Sequence, residues 1–440
     1  MNQNLKRYIY PAFCFLFLSL NLLQAYFTNL TYDEAYYWLY AEHLAWGYYD
    51  HPPLVAIFIK IGYSLLQNEL GLRLIGALSN FFILLLLPKI LNIEDLKGKL
   101  IILLICTTLP LFQLMGFIST PDSPLLFFTC LYFYFLKEFY TKNNLNAAIF
   151  LGLTMAMMAY SKYHAFLLVL LTVLSNWQLI KNKLFIVALV IALIAFIPHI
   201  YWQIQNEFIS FRYHLSDRHQ GLELYHFPEY FLNVLLIFNP FMIIFIYKSL
   251  GKANIENNFE RTLRFIILGT LLFFLTCNFL GHVQPQWLVI TMIPTILLLF
   301  NYFKRNESNL NNLKKIFWIS SSLFLFIRII LIFNVLPINL EFHEYENKVS
   351  SIIRKSDGIP VVFHKSYRLA SVYAFQTKNI NVHCFGYKTA FDQWNQGTAY
   401  YNKPVMIVGN DIHDADTINY EMGEIQNVLF TKFNPNKNLN

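Results

Sequence analysis

Directly after the first apolar segment, Asp33-Glu34-Ala35-Tyr36-Tyr37-Trp38 is followed by Gly47-Tyr48-Tyr49-Asp50-His51-Pro52-Pro53, which sets carboxylates and histidine among aromatics. Acids beside hydrocarbon are expensive to keep, so a functional site is the default reading of them. The bland alternative is an interfacial helix with solvated charges, but such helices favour Lys over acids. One reaction class suits these groups. Transfer of a sugar needs a carboxylate to take a proton from, or orient, the acceptor, and cations to hold the charge that develops on a departing phosphate. Tyr36, Tyr37, Trp38, Trp46, Tyr48 and Tyr49 supply faces on which a sugar or lipid stacks.

Three further polar points recur at the ends of apolar runs: Thr120-Pro121-Asp122-Ser123-Pro124, Ser161-Lys162-Tyr163-His164, and Gly281-His282-Val283-Gln284-Pro285-Gln286-Trp287. Each has a dull explanation. Asp122 can cap the helix that starts at Ser123-Pro124, Lys162 and His164 can snorkel to headgroups, and His282 can be an interfacial histidine with an ordinary partner. Asp50 and His51 can share a charge-assisted hydrogen bond that holds the Pro52-Pro53 turn. Alternatively they ligate a divalent ion, Zn or Mg, with His282, His214 or His219 completing the set. No cofactor is obligatory for the reaction.

The elements that must position these groups are membrane helices. The chain is 56% hydrophobic and 13% charged, below the roughly 25% charge of soluble domains, which excludes a soluble enzyme. Its charge of +7 is spread between apolar segments, so no nucleic-acid patch forms. Apolar runs mark eleven spans, near 8–28, 72–91, 100–118, 122–140, 146–160, 164–180, 184–202, 229–249, 262–281, 285–303 and 315–336, the first read as an anchor and not a cleaved signal. Lys6, Arg7, Lys89, Lys97, Lys99, Lys137, Lys142 and most later basic residues through Lys315 fall on one side of these spans. Only Lys60, Arg73, Lys162, Arg212 and Arg218 fall on the other before the tail. The positive-inside rule then puts the N-terminus in the cytoplasm and the acids on the outer face. Residues 1–336 are expected to form the membrane region, with a first outer loop at 29–71. Residues 337–440 are expected to form a small α/β domain on the same outer, periplasmic side, with strands near Pro360–Phe363 and Pro404–Val408 and a helix from Tyr367 to Gln376. Its Asp414-Ala415-Asp416 triplet lacks a nucleotide-binding context, and short matches of this kind arise by chance. Of five cysteines only Cys384 lies in a polar region, so no disulfide framework is expected.

The first-loop motif, with Thr120–Phe127, Tyr160–His164, Pro198-His199-Ile200-Tyr201-Trp202 and His282–Trp287, resembles bacterial members of the protein O-mannosyltransferase and aminoarabinose lipid A transferase group. These are GT-C glycosyltransferases, all-α polytopic membrane proteins that take a sugar from a polyprenyl phosphate. The resemblance covers about residues 8–330. It implies that Asp33 is the catalytic carboxylate, acting as base or orienting the acceptor, with Glu34 beside it, that Asp122 is a second acidic position near the donor, and that Asp50 stands where a carboxylate associates with a metal. His51 replaces the lysine expected next to it. Lys60, Lys162, Arg212 and Arg218 are the phosphate-binding candidates by side and charge. Tyr37, Trp38, Tyr49, His51, Tyr163, His164 and Trp287 are further substrate contacts. Asp50, His51 and His282 are the metal set.

The expected partners are a polyprenyl-phosphate sugar, a lipid or glycolipid acceptor such as lipid A or lipopolysaccharide, or a protein, and the surrounding membrane of a bacterial inner membrane. Competing functions are a flippase for lipid-linked sugars, a protein O-mannosyltransferase and a lipid-linked sugar polymerase. A transporter is expected to carry its ionisable groups at mid-membrane on broken helices, whereas here the acids gather at one face.

Overall fold

The computed structural model describes residues 3–214, 226–251, 257–333, 335–336, 340–394, 405–409, 420–425 and 428–433. The helices are α1 (Gln3–Phe27), α2 (Tyr32–Glu42), α3 (Leu54–Leu65), α4 (Glu69–Leu91), α5 (Leu96–Thr108), α6 (Pro110–Leu114), α7 (Asp122–Lys142), α8 (Leu145–Ser161), α9 (His164–Ser175) and α10 (Lys183–Gln205). They continue with α11 (Ile209–Arg212), α12 (Phe227–Phe238), α13 (Ile243–Gly251), α14 (Asn258–Cys277), α15 (Met292–Arg305), α16 (Leu310–Phe333), α17 (Glu341–Ser356), α18 (Tyr367–Thr377) and α19 (Phe391–Trp394).

Local chemistry explains many of the boundaries. Asn68, Asp95, Asn144, Asn182 and Asn257 each cap a helix by accepting a backbone N–H of its first turn, satisfying donors that would otherwise lack partners. Asn92 and Asn143 end α4 and α7 in the left-handed conformation that asparagine tolerates. Asn143 and Asn144 thus turn the chain in consecutive residues. Gly152 lets α8 lie against α10, since a Cβ there would sit 2.4 Å from the Ala188 carbonyl oxygen.

Among the described residues, five helical segments, Lys6–Phe27, Glu69–Leu91, Lys183–Gln205, Pro285–Arg305 and Glu307–Phe333, are long and apolar enough to cross a membrane, or six if α12 and α13, bent by 90°, count as one. Of the other apolar runs, α7 and α14 are continuous helices of 21 and 20 residues that are less apolar, α8 and α9 are shorter, and the rest are interrupted. The run at 100–118 breaks at Leu109-Pro110, because proline disfavours helix in the residue before it. The run at 285–303 opens as 3-10 helix over Pro285–Thr291.

The tail forms β1 (Val361–His364), β2 (His383–Phe385), β3 (Val405–Gly409), β4 (Tyr420–Ile425) and β5 (Val428–Phe433) in the order β2-β1-β3-β5-β4. β1 pairs parallel with β2 and β3, while β5 runs antiparallel to β3 and β4. The expected strands and helix are therefore present. The acidic triplet at 414–416 lies outside the described residues.

The sheet and its helices share a core with the first loop. Trp38 packs edge-on to Phe375 at 5.3 Å, Tyr36 meets Tyr367 at 5.1 Å, and the Ala390 amide donates to the Tyr36 hydroxyl at 2.9 Å. Tyr345 donates to the Leu30 carbonyl at 2.8 Å, and Lys378 donates to the Tyr63 hydroxyl at 2.8 Å. This packing sets α18 beside the N-terminus of α2.

Candidate active site

Thr31 opens α2 through a capping box: its hydroxyl accepts from the Glu34 amide at 3.1 Å while Glu34 Oε2 accepts from the Thr31 amide at 3.0 Å. Glu34 also takes two hydrogen bonds from the Arg73 guanidinium, both 2.7 Å, and one from the Ser119 amide at 2.9 Å. Both side chains of the pair are fully buried. Arg73 spends its remaining donors on the carbonyls of Ala25, Thr28 and Asn29. Glu34 therefore joins α1, α2, α4 and the turn before α7, and its oxygens are committed to protein donors.

Asp33, one residue earlier, is different. It is partly buried and has no hydrogen bond or ion pair among the described residues. Burial raises its pKa, Arg368 and Lys162 pull it back, and Glu34 pushes it up. The Asp33 carboxyl is thus made more basic by burial, against the opposing pull of two cations.

Asp122 is buried in the first turn of α7 and makes no side-chain cap. It binds Lys162 Nζ through both oxygens, at 2.8 and 2.9 Å. Neither the capping nor the snorkelling explanation describes these two residues: they form a buried ion pair. Tyr37 lies within the field of three acids, its hydroxyl pKa pushed well above the usual value by burial and then by Asp33, Asp50 and Asp122. The first loop and the start of α7 therefore converge on one place.

Lys162 also lines an apolar cavity of about 550 Å3, together with Tyr163, His164, Leu167, Leu170, His214, Phe273, Phe274, His282 and Trp287. Leu170, Phe273 and Leu280 on its wall are exposed at the protein surface, so the cavity opens towards the membrane. A second cavity of about 390 Å3 is lined by Tyr36, Tyr49, Asp50, Tyr213, Tyr367, Tyr387, Lys388 and Thr389. The Tyr49 ring contacts Tyr213 at 4.9 Å. Tyr163 accepts from Gln203 at 2.8 Å and meets His199 Nε2 at 3.0 Å. The other nitrogen of His199 lies 2.6 Å from the Trp46 carbonyl, tying the first loop to α10.

Other expected contacts are not brought to this place. Trp38 is buried against Tyr63 and Phe375 in the junction with α18. Lys60 is paired with Glu42 at 3.2 Å, and Arg212 with Glu207 at 2.9 Å. Arg218 and His219 lie outside the described residues.

Among the described residues, Asp50, His51 and His282 do not come together as a metal set. His51 Nε2 and Asp50 Oδ2 are 4.0 Å apart, too far for the expected hydrogen bond. Asp50 instead accepts from the Tyr40 hydroxyl, its carbonyl lies 2.7 Å from His214 Nε2, and the Pro52-Pro53 turn is closed by the Tyr48 amide donating to the His51 carbonyl at 3.0 Å. His282 is placed against Glu229 and His226. Two further groups had weak signals in the sequence. Arg73 is one of five basic residues on the acid-bearing side before the tail, with nothing in its neighbours to single it out, and Arg368 falls in a polar tail where arginine is unremarkable.

Comparison with known proteins follows this geometry. The profile of the dolichyl-phosphate-mannose-protein mannosyltransferase family matches residues 50–202, beginning after the Asp33-Glu34 motif. The full fold superimposes on crystal structures of ArnT from Cupriavidus metallidurans. The apo form gives a TM-score of 0.72 at 12% identity, covering 96% of this chain and 98% of that one. The chain has the GT-C fold of ArnT. The ArnT structure bound to undecaprenyl phosphate gives a TM-score of 0.66 at 12% identity, covering 96% of this chain and 97% of that one. The lipid A galacturonosyltransferase RgtD of Rhizobium johnstonii is 26% identical over 202 residues, 43% of this chain. The chain spans 41% of RgtD's length in that match. The resemblance drawn from the loop motifs is borne out, and with it an all-α multi-pass membrane architecture carrying a small α/β tail.

Proposed function

We propose that this protein is a membrane glycosyltransferase that moves a sugar from a polyprenyl phosphate to lipid A or a similar envelope glycolipid. The observation that carries this reading is the unpaired Asp33 carboxylate within the field of Lys162, a lysine that also lines the membrane-facing apolar cavity. That cavity falls within the range of roughly 300–1,000 Å3 typical of ligand sites. ArnT, which shares the fold, binds undecaprenyl phosphate, and RgtD acts on lipid A.

The polyprenyl chain lies along Leu167, Leu170, Phe273 and Phe274, with the phosphate at the end carrying Lys162, His164 and His214. Lys162 stabilises the charge that grows on the phosphate as the sugar leaves, and Asp122 fixes its ammonium in place. Asp33 takes the proton of an acceptor hydroxyl, or orients an acceptor already ionised. A single displacement of this kind inverts the sugar's anomeric centre. Glu34 and Arg73 hold the N-terminus of α2 so that Asp33 faces the site.

Asp33→Asn preserves shape and removes the base. Transfer from an undecaprenyl-phosphate sugar to lipid A by the purified protein should fall by about 10²–10⁴. Activity within threefold of the parent, in protein that melts no lower than the parent, refutes the assignment.

A further inference from the structure

His226 stands immediately before α12 and Glu229 in its first turn, so the spacing of three puts both on one helix face. His282 arrives from a separate element, the link after α14 that passes Gly281 in a positive-φ conformation. His226 Nδ1 lies 3.1 Å from Glu229 Oε2 and His282 Nδ1 lies 3.2 Å from the same oxygen. The two imidazole rings are 5.4 Å apart, and one ligand atom from each residue lies within 4.8 Å of the others. Among the described residues this is the group of three or more His, Cys, Asp or Glu side chains so arranged.

We propose that His226, Glu229 and His282 bind one divalent ion of the zinc type. Tetrahedral zinc with bonds of about 2.0–2.1 Å sets neighbouring ligand atoms roughly 3.3 Å apart, close to both separations here. Two imidazoles and one carboxylate are a donor set that zinc accepts with a fourth position left open. Glu229 and His282 are each partly exposed to solvent, which gives an ion a path in. His282 also lines the large apolar cavity, so the ion would tie the start of α12 to the cavity wall. A small oxygen ligand, water or a phosphate oxygen, would fill its open position. The site is separate from Asp50 and His51, and metal binding does not depend on the proposed reaction.

The test uses the full-length protein in detergent, stripped with chelator and titrated with Zn2+, then with Co2+ to read ligand geometry from the visible spectrum. One equivalent should bind and Co2+ should give the intense bands of a tetrahedral site. His282→Ala and Glu229→Gln should each weaken Zn2+ binding by more than the roughly 10–100-fold that loss of a ligand's outer-shell partner costs. Asp50→Asn should leave it unchanged. Glu229→Gln keeps side-chain size and polarity, so it reports even if the alanine variant is unstable. Less than a tenth of an equivalent bound, an octahedral Co2+ spectrum, or binding lost in Asp50→Asn but kept in both other variants would each overturn the proposal, the last by placing the ion at Asp50.

Discussion

Replacing Glu34 by Gln separates a positioning role from a chemical one. In the parent, five donors converge on the carboxylate: Arg73 Nε and Nη2 at 2.7 Å, the Ser119 amide at 2.9 Å, the Thr31 amide at 3.0 Å and the Thr31 hydroxyl at 3.3 Å. A glutamine amide offers one accepting oxygen, and its NH2 group then faces donors where the second carboxylate oxygen had been. Arg73 is left as a buried charge without its counterion. Breaking one side of such a pair costs about 3–5 kcal/mol, a large part of the roughly 5–15 kcal/mol that holds a domain together. Glu34→Gln should therefore lower the thermal unfolding temperature in detergent substantially and reduce transfer in proportion to the folded fraction. Replacing both partners, as Glu34→Gln with Arg73→Met, should recover part of the lost stability because no charge remains buried. The measurement is a melt of the single and double variants beside a transfer assay at low temperature. If Glu34→Gln melts like the parent yet loses transfer by more than about 10²-fold, the scale of a lost acid–base group, then Glu34 acts in the chemistry and the positioning argument fails.

Because Arg368 and Lys162 both lower the Asp33 pKa that burial raises, Arg368→Met should move the acid limb of the transfer rate to higher pH, which a pH profile of kcat/KM checks. The sign for stability is opposite to a salt-bridged acid: a carboxyl whose folded pKa is raised binds protons more tightly when folded, so its contribution weakens as pH rises through that pKa, and Asp33→Asn should melt slightly higher than the parent at neutral pH. For orientation, a cysteine at exposed Leu44 should react with an impermeant thiol reagent from outside intact cells, whereas one at exposed Lys142 should not; reversed labelling refutes the positive-inside assignment.

The membrane class and the α/β pattern of the tail were legible in the chain because composition, apolar run length and local periodicity carry them. Residues 32–54 announce themselves by setting acids against hydrocarbon, a cost that sequence alone reveals. Tertiary structure decided what each polar side chain does. Glu34 and Asp33 are neighbours with the same charge, yet consecutive residues on a helix point about 100° apart, so one meets Arg73 inside the protein and the other makes no hydrogen bond or ion pair among the described residues. Lys162 and Asp122 each had a solitary explanation in sequence, and their pairing exists only because α7 and α8 lie side by side. Arg368 reaches the field of Asp33 from more than three hundred positions along the chain because α18 packs on α2. His282 left the expected set with Asp50 and joined His226 and Glu229 because the link after α14 is held against the start of α12. Short-range pattern marks which residues are costly to keep, whereas the partner that justifies the cost is fixed by helix packing between distant segments.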